Sequence, residues 1–173
     1  MKEYLSIVDE KDTVIGKADW DELFAKNLLH RGTGVLIFNS KHELFVHQRA
    51  KTMMRNAGLY AVVVGGGVAV GESYEQNAVR ELQEETGITG VTLKFLYKFL
   101  FRIPMNQCFI SVFSCVYDGR LVLDKHEIET GEFMSIVQVK KHILKEKYTP
   151  VNTLIFNEYM KNYYNNDPAI KNI

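Results

Sequence analysis

Three glutamates, Glu81, Glu84 and Glu85, follow closely on a run of three glycines, Gly65-Gly66-Gly67, a combination suited to divalent-metal and phosphate chemistry. On a helix, at about 100° per residue, Glu85 lies about 40° to one side of Glu81 and Glu84 about 60° to the other, so the carboxylates share a sector of roughly 100° and their heads can converge. Like charges three and four residues apart cost an isolated helix roughly 0.2–0.5 kcal/mol per pair, so a cation that neutralises them is expected. A hard, oxygen-preferring ion fits, Mg²⁺ above all, because it takes carboxylates and water and shares its shell with substrate phosphate.

A Glu-rich helix is more often a solvated surface, but the neighbouring residues argue otherwise. Ala78, Val79, Leu82 and Thr86 fill the adjoining sector and are expected to pack inward, which leaves Gln83 outermost. Arg80 stands four residues before Glu84 and eight after Glu72, so it can pair with either and steady the cluster. The glycines let backbone approach a ligand without a Cβ in the way, although a triple glycine alone signals only a turn. Arg49, Lys51 and Arg55 form a basic stretch just before the glycines, where an incoming phosphate needs positive charge; Arg49 is the first candidate, against the alternative of a solvated loop. Cys108 and Cys115 lie in apolar, strand-like stretches at an odd separation, so on one strand they face opposite ways as buried thiols. His47, alternating with Val46, reads as exposed.

The elements that must carry these groups follow from pattern and punctuation. Tyr4 to Val8 and Thr13 to Lys17 flank a turn and predict an N-terminal hairpin. Asp19 with Glu22 predicts a capping-box start for a helix reaching about Leu29. Strands are expected over Gly34 to Phe38, Leu44 to Gln48 and Tyr60 to Val64, the last running into the glycines. The carboxylate helix should span about Tyr74 to Thr86, with Gly87 ending it. Beyond it come a long aromatic-rich hairpin, Leu93 to Phe101 and Gln107 to Tyr117, then short strands at Leu121 to Leu123 and Phe133 to Ile136. Helices follow at Val137 to Lys145 and from Thr149-Pro150, a good cap and first position, to about Tyr164. The polar tail from Asn165 is expected to fray.

The chain has 173 residues, 46% of them hydrophobic, which suits one domain over 1–173: an N-terminal hairpin and helix to about 30, a core to about 148 and a C-terminal helix. Lys and Arg balance Asp and Glu at 21 each, so there is no basic footprint for a nucleic-acid polymer. No apolar run approaches the roughly 18 residues of a membrane span, and the acidic, broken N-terminus is unlike a signal peptide; a cytoplasmic location is the default expectation. The exposed strands of the N-terminal hairpin could mediate a homodimer.

The segment Gly66 to Ile88 is similar, at every defined position, to the signature of the Nudix hydrolase family: Gly66, five residues, Glu72, seven residues, Arg80-Glu81-Leu82, Gln83, Glu84-Glu85, Thr86, Gly87-Ile88. The resemblance implies an α+β fold with a mixed sheet sandwiched between helices, and attack of water on one phosphorus of a diphosphate linked to another group, in a nucleoside diphosphate derivative or a similar small molecule. It also implies Mg²⁺ or Mn²⁺ held by Glu81, Glu84, Glu85 and the carbonyl of Gly65, with Glu72 and Arg80 as braces, Glu84 and Arg80 among the catalytic groups, and Gly66 and Gly67 beside the substrate. The family's general base is often a glutamate on a later loop. Glu127 is the candidate, with Glu129 behind it, while a solvated acidic loop accounts equally well for Glu127.

His30-Arg31 and the strand Leu44 to Arg49 resemble the isopentenyl-diphosphate isomerase branch of the same superfamily. That branch carries Cys-Gly-His-Pro where this chain reads Gly65-Gly66-Gly67-Val68, so thiol and imidazole are both missing, and Leu23 stands where a further histidine is needed. The sequence therefore reads as an isomerase-like hydrolase. An isomerase and a nucleotide sensor without catalysis are the alternatives.

Overall fold

The computed structural model describes residues 3–164. The expected fraying from Asn165 onward lies outside them. In chain order the elements are β1 (Leu5–Val8), β2 (Val14–Ala18), α1 (Trp20–Ala25), β3 (Leu29–Phe38), β4 (Leu44–Arg49), β5 (Tyr60–Ala61), α2 (Tyr74–Thr86), β6 (Lys94–Ile103), β7 (Asn106–Val116), β8 (Ile128–Met134), α3 (Ile136–Lys145) and α4 (Pro150–Asn162). The strands form one mixed sheet: β3 runs parallel to β7 over its whole length, β6 pairs antiparallel with β7, and β4 pairs antiparallel with β8. β2 and β1 extend the sheet beyond β3, with β2 at the edge.

Strand alternation sorts the core into two layers. Leu36, Leu44, Val46, Ile110 and Val112 face α3 and α4, while Val35, Ile37, Phe45 and Phe113 face α2. β3 is buried on both faces, as a parallel-paired central strand should be. This is the expected α+β sandwich of a mixed sheet between helices. Cys108 and Cys115 fall one in each layer, both free and both buried. The aromatic hairpin also divides. Tyr97, Phe99 and Phe101 pack toward α4, whereas Phe113 joins the α2 side.

α2 begins at a reciprocal capping box, Ser73 with Gln76, and ends where Gly87 takes the left-handed conformation at φ 72°. Its start is pinned by Asp12, in the hairpin turn, whose carboxylate accepts from Arg31 Nε at 2.7 Å, Lys98 Nζ at 2.7 Å and the Tyr74 hydroxyl at 3.0 Å. Val79, expected to pack inward, is 48% exposed, because α2 buries Ala78, Leu82 and Thr86 and turns Val79 to solvent. α1 stops four residues short of the expected Leu29. Asn27 turns left-handed at φ 50° and Leu29 is already paired to β7. The segment Leu121 to Leu123 is no strand: Val122 N donates to Thr86 O at the end of α2. β8 is longer than expected and absorbs Glu129 to Glu132.

β5 ends at Ala61, not Val64, for a specific reason. The amides of Val62 and Val63 donate to the side-chain Oδ1 of Asn152 at 2.8 and 3.0 Å, in place of a strand partner. Asn152 is buried at the start of α4 and donates in turn to Thr149 Oγ1 at 2.7 Å. Asn152→Ala strands these amides and is expected to cost roughly 2–3 kcal/mol. A lowered urea midpoint with an unchanged slope would register it; an unaltered midpoint would show that water replaces the side chain.

Candidate active site

The glycine segment is laid against β3 by Val35 N to Val64 O at 2.8 Å, Thr33 N to Gly66 O at 2.9 Å and Val68 N to Arg31 O at 3.0 Å. Gly65 sits at φ 144°, and a Cβ there would stand 2.3 Å from Thr33 O, so no other residue fits without moving β3. At Gly66 a Cβ would meet Glu81 Oε1 at 2.8 Å; its absence is what lets the carboxylate of α2 lie on the loop backbone. Gly67 is buried, and its carbonyl accepts from Asn77 Nδ2 at 2.8 Å.

The three glutamates share one side of α2 but not one environment. Glu85 is 3% exposed, and its Oε1 accepts from Gly65 N at 2.6 Å. Glu81 is 8% exposed and lies 2.9 Å from Arg80 Nη2. The Glu84 side chain is 57% exposed and is drawn to Arg80 Nη1 at 2.7 Å. Their heads therefore do not converge in this state: among the described residues no three carboxylate, imidazole or thiolate groups are gathered as a chelate. Arg80 also reaches Glu72 through Nε at 2.8 Å, and so does both things expected of it. Glu72 accepts from Asn77 Nδ2 at 3.1 Å and from Ala69 N at 3.3 Å, which ties loop to helix.

Asn77 went unnoticed in the sequence. It is fully buried, and beyond Gly67 and Glu72 it bonds Thr33 Oγ1 at 2.5 Å, so one amide clamps β3, the glycine loop and the brace together. The signal was available, since Asn77 precedes Glu81 by four residues and occupies an inward helical position.

Glu127 enters the cluster from the turn before β8. The Asp124 carbonyl accepts from both Glu127 N and Ile128 N, and the Glu127 carbonyl accepts from Ala50 N at 2.8 Å. Its half-buried carboxyl is raised by desolvation, with Arg49 opposing the rise. Burial raises Glu81 to about 7 against the pull of Arg80, with Glu127 and Glu84 adding repulsion. Glu85 lies well above its ordinary range for the same reason, burial first and Glu127 next, despite the Gly65 amide. Several oxygen donors desolvated together fit a hard divalent cation, which would relieve their repulsion once Glu84 leaves Arg80.

Arg49 extends from the end of β4 toward this cluster, and its Nε is buried without a hydrogen-bond partner. Glu81, Glu84, Glu127, Arg49 and Arg80 open onto one cavity of about 500 Å³, floored by the glycine loop. Cys108 also borders it, but burial raises its thiol far above neutrality. Glu129 is exposed, and it is its carbonyl that accepts from Lys125; Lys51 is exposed and does not border the cavity. His30 is buried edge-on to Trp20 and Phe24. His47, expected at the surface, is 2% exposed: it shares a face of β4 with Phe45, which packs on the α2 side and stacks against it. A second cavity of about 490 Å³, bordered by Phe38, Tyr159 and Tyr163, has no carboxylate in its lining and lies at the far end of β3 from Gly32 and Thr33.

Comparison with known proteins places this geometry. The profile of the NUDIX domain matches residues 28–154. The chain belongs to the Nudix family. It is 38% identical to an uncharacterized Nudix hydrolase of Pseudomonas aeruginosa over 132 residues, 76% of this chain and 78% of that one. A Streptomyces coelicolor Nudix hydrolase is 41% identical over 120 residues, 69% of this chain and 65% of the relative. Among solved structures, DR0079 from Deinococcus radiodurans superposes with a TM-score of 0.77 at 20% identity, covering 93% of this chain and 99% of that one. The NUDIX domain of Shewanella oneidensis NrtR, solved with ADP ribose, superposes with a TM-score of 0.61 at 14% identity over 83% of this chain and 98% of that one. These structural likenesses concern the fold. As a Nudix hydrolase, the chain is an enzyme of pyrophosphate hydrolysis. No helix of the described residues is long and apolar enough to cross a membrane.

Proposed function

We propose that this Nudix hydrolase cleaves the diphosphate linkage of a small nucleoside diphosphate derivative or related compound, with Mg²⁺ or Mn²⁺, by attack of water on phosphorus. The observation that carries the reading is the seating of Glu85 on the Gly65 amide and of Glu81 against Gly66, with Glu81, Glu127 and the unpartnered Nε of Arg49 bordering one cavity. Glu81, Glu84, Glu85 and the Gly65 carbonyl would hold the ion, which when bound neutralises phosphate oxygens and lowers the pKa of a coordinated water.

This chain's own residues do the rest. Arg49 offers a buried guanidinium donor to a phosphate oxygen in a charge-assisted bond. Glu127 is the acceptor for the proton of the attacking water, worth roughly 10²–10⁴-fold as a general base. Arg80 and Glu72 keep the helix and loop in register. Gly66 presents backbone rather than side chain to the substrate, while Gly67 serves through its bond to Asn77. The isomerase alternative lacks a thiolate, because the one thiol bordering the cavity, Cys108, is held protonated by burial.

Chromatographic detection of the phosphorylated products from nucleotide sugars, dinucleoside polyphosphates, nucleoside di- and triphosphates and prenyl diphosphates, with each metal, tests the proposal. Turnover of at least one diphosphate is expected, and silence across the panel with both ions would sink it. On the substrate so found, Arg49→Met should raise KM by about tenfold, the worth of one charge-assisted contact. An unchanged KM would remove Arg49 from the phosphate site.

A further inference from the structure

The cavity has a second end that the hydrolytic groups do not use. Trp20 and Phe24, four residues apart on α1, both border it, with near-parallel rings 5.6 Å apart at 16°. α1 lies before residues 28–154, the span matched by the family profile, so this wall is built from outside that span. The rings are set by several contacts. His30 stands edge-on to both, at 79° and 76°. The Trp20 indole donates through Nε1 to Glu3 Oε2 at 3.0 Å, and Glu3 lies 3.7 Å from Arg80. Trp20 also abuts the glycine loop, since a Cβ on Gly67 would fall 2.9 Å from its Cη2. The aromatic wall therefore begins where the phosphate floor ends.

Two further observations point to what this end takes. The Arg55 guanidinium, from the loop between β4 and β5, lies 3.2 Å from the Phe24 ring centroid, and among the described residues it makes no ion pair. The face of Phe24 thus already accepts a flat, delocalised group. Asn106, where β7 begins, borders the same cavity with its Oδ1 buried and without a donor. A buried acceptor left unpaired costs roughly 1–3 kcal/mol, so a group bearing N–H is favoured there. An isoprenoid chain would cover the rings but leave Asn106 unpaired. A flat heteroaromatic ring with an N–H donor satisfies both, and lets Arg55 stack on its outer face instead of on Phe24.

We propose that Trp20, Phe24, Arg55 and Asn106 form the specificity subsite of this enzyme, selecting a diphosphate whose attached group carries a flat, N–H-bearing heteroaromatic ring, as a nucleobase does. This rests on the hydrolase reading for what the ligand is used for, but binding can be measured without turnover. Trp20 is the chain's one tryptophan, so its emission reports this subsite alone. The full chain is titrated with the four nucleoside monophosphates, with ribose 5-phosphate and with dimethylallyl diphosphate, none of which requires hydrolysis to bind.

At least one nucleoside monophosphate should change Trp20 emission saturably and bind at least tenfold more tightly than ribose 5-phosphate, with dimethylallyl diphosphate silent. Phe24→Leu should weaken that binding about tenfold and Phe24→Tyr restore it, with circular dichroism confirming that both fold. Asn106→Ser should weaken it about fivefold. Equal binding of ribose 5-phosphate and the nucleotides, silence of all four nucleotides, or saturable response to dimethylallyl diphosphate alone would overturn the subsite. Nucleotide binding without turnover of any compound in the screen would leave the subsite standing and overturn the hydrolase reading; turnover with silent nucleotides would do the reverse.

Discussion

Glu84→Gln is expected to lower kcat by about 10³-fold, the mid-range for a lost charged group at the reacting centre, and to leave the fold untouched. The two halves of this expectation come from different facts. The Glu84 side chain is 57% exposed and bonded to Arg80 at 2.7 Å, and an exposed pair of that kind stabilises by at most about 1 kcal/mol. Arg80 keeps Glu72 at 2.8 Å and Glu81 at 2.9 Å without it, so loop and helix stay braced. Activity against stability, measured on the same preparation, separates the two. A variant retaining more than a tenth of the wild-type rate would remove Glu84 from the centre, and a melting temperature lowered by more than a few degrees would make it structural instead. Glu85→Gln should be equally inactive for another reason. Its Oε1 can still accept from Gly65 N, so the loop holds, but the buried charge available to a cation is gone. Saturating Mg²⁺ should therefore raise the melting temperature of the wild type, by the linkage of any ligand that binds the folded state, and leave Glu85→Gln unmoved.

How legible this site was depends on the range of the interactions that make it. α2 was readable because its signals are local: the apolar positions Ala78 and Leu82 and the terminating Gly87, to which the structure adds an equally local capping box, Ser73 with Gln76. The Arg80 bridge to Glu84 was readable for the same reason, being one helical turn. The end of β5 was not, because the residue that takes the amides of Val62 and Val63 is Asn152, 90 positions from Val62. α1 was read too long because Leu29 leaves the helical pattern to pair with Gln107 of β7, a partner that only topology supplies. Glu127 was a candidate by family resemblance alone; what brings it beside Glu81 and Glu85 is the turn at Asp124 and the pairing of β8 with β4. The Trp20 and Phe24 spacing was visible, but not the Arg55 loop that comes to lie over Phe24.

His47 shows what such a misreading conceals, and it carries the largest stability effect expected in this chain. Alternation along β4 suggested the surface, yet His47 shares its face of the strand with Phe45, which packs on the α2 side and stacks against it, and the imidazole is 2% exposed with Nδ1 unpartnered. Burial, reinforced by the nearby Arg49 charge, lowers its pKa from 6.5 to about 3. A folded-state pKa below the unfolded one means that the unfolded chain binds the extra proton. The associated stability is complete above pH 6.5 and is lost as pH falls toward 3, at about 1.4 kcal/mol per pH unit. By pH 4 His47 alone should have withdrawn roughly 3 kcal/mol, a large part of the 5–15 kcal/mol typical of a domain. His47→Met removes both the titration and the unpaired nitrogen at similar volume, so it should match or exceed the wild type at pH 7 and fall less steeply below pH 6. Asp12 and Glu72, held low by their cationic and hydrogen-bonding partners, also lose stabilisation in acid. They do so in both proteins and cancel in the difference. Urea midpoints at pH 7 and pH 4 give that difference directly: a gap that widens by roughly 3 kcal/mol in favour of the variant is the expected result, and parallel curves would show that the imidazole is solvated or paired in solution.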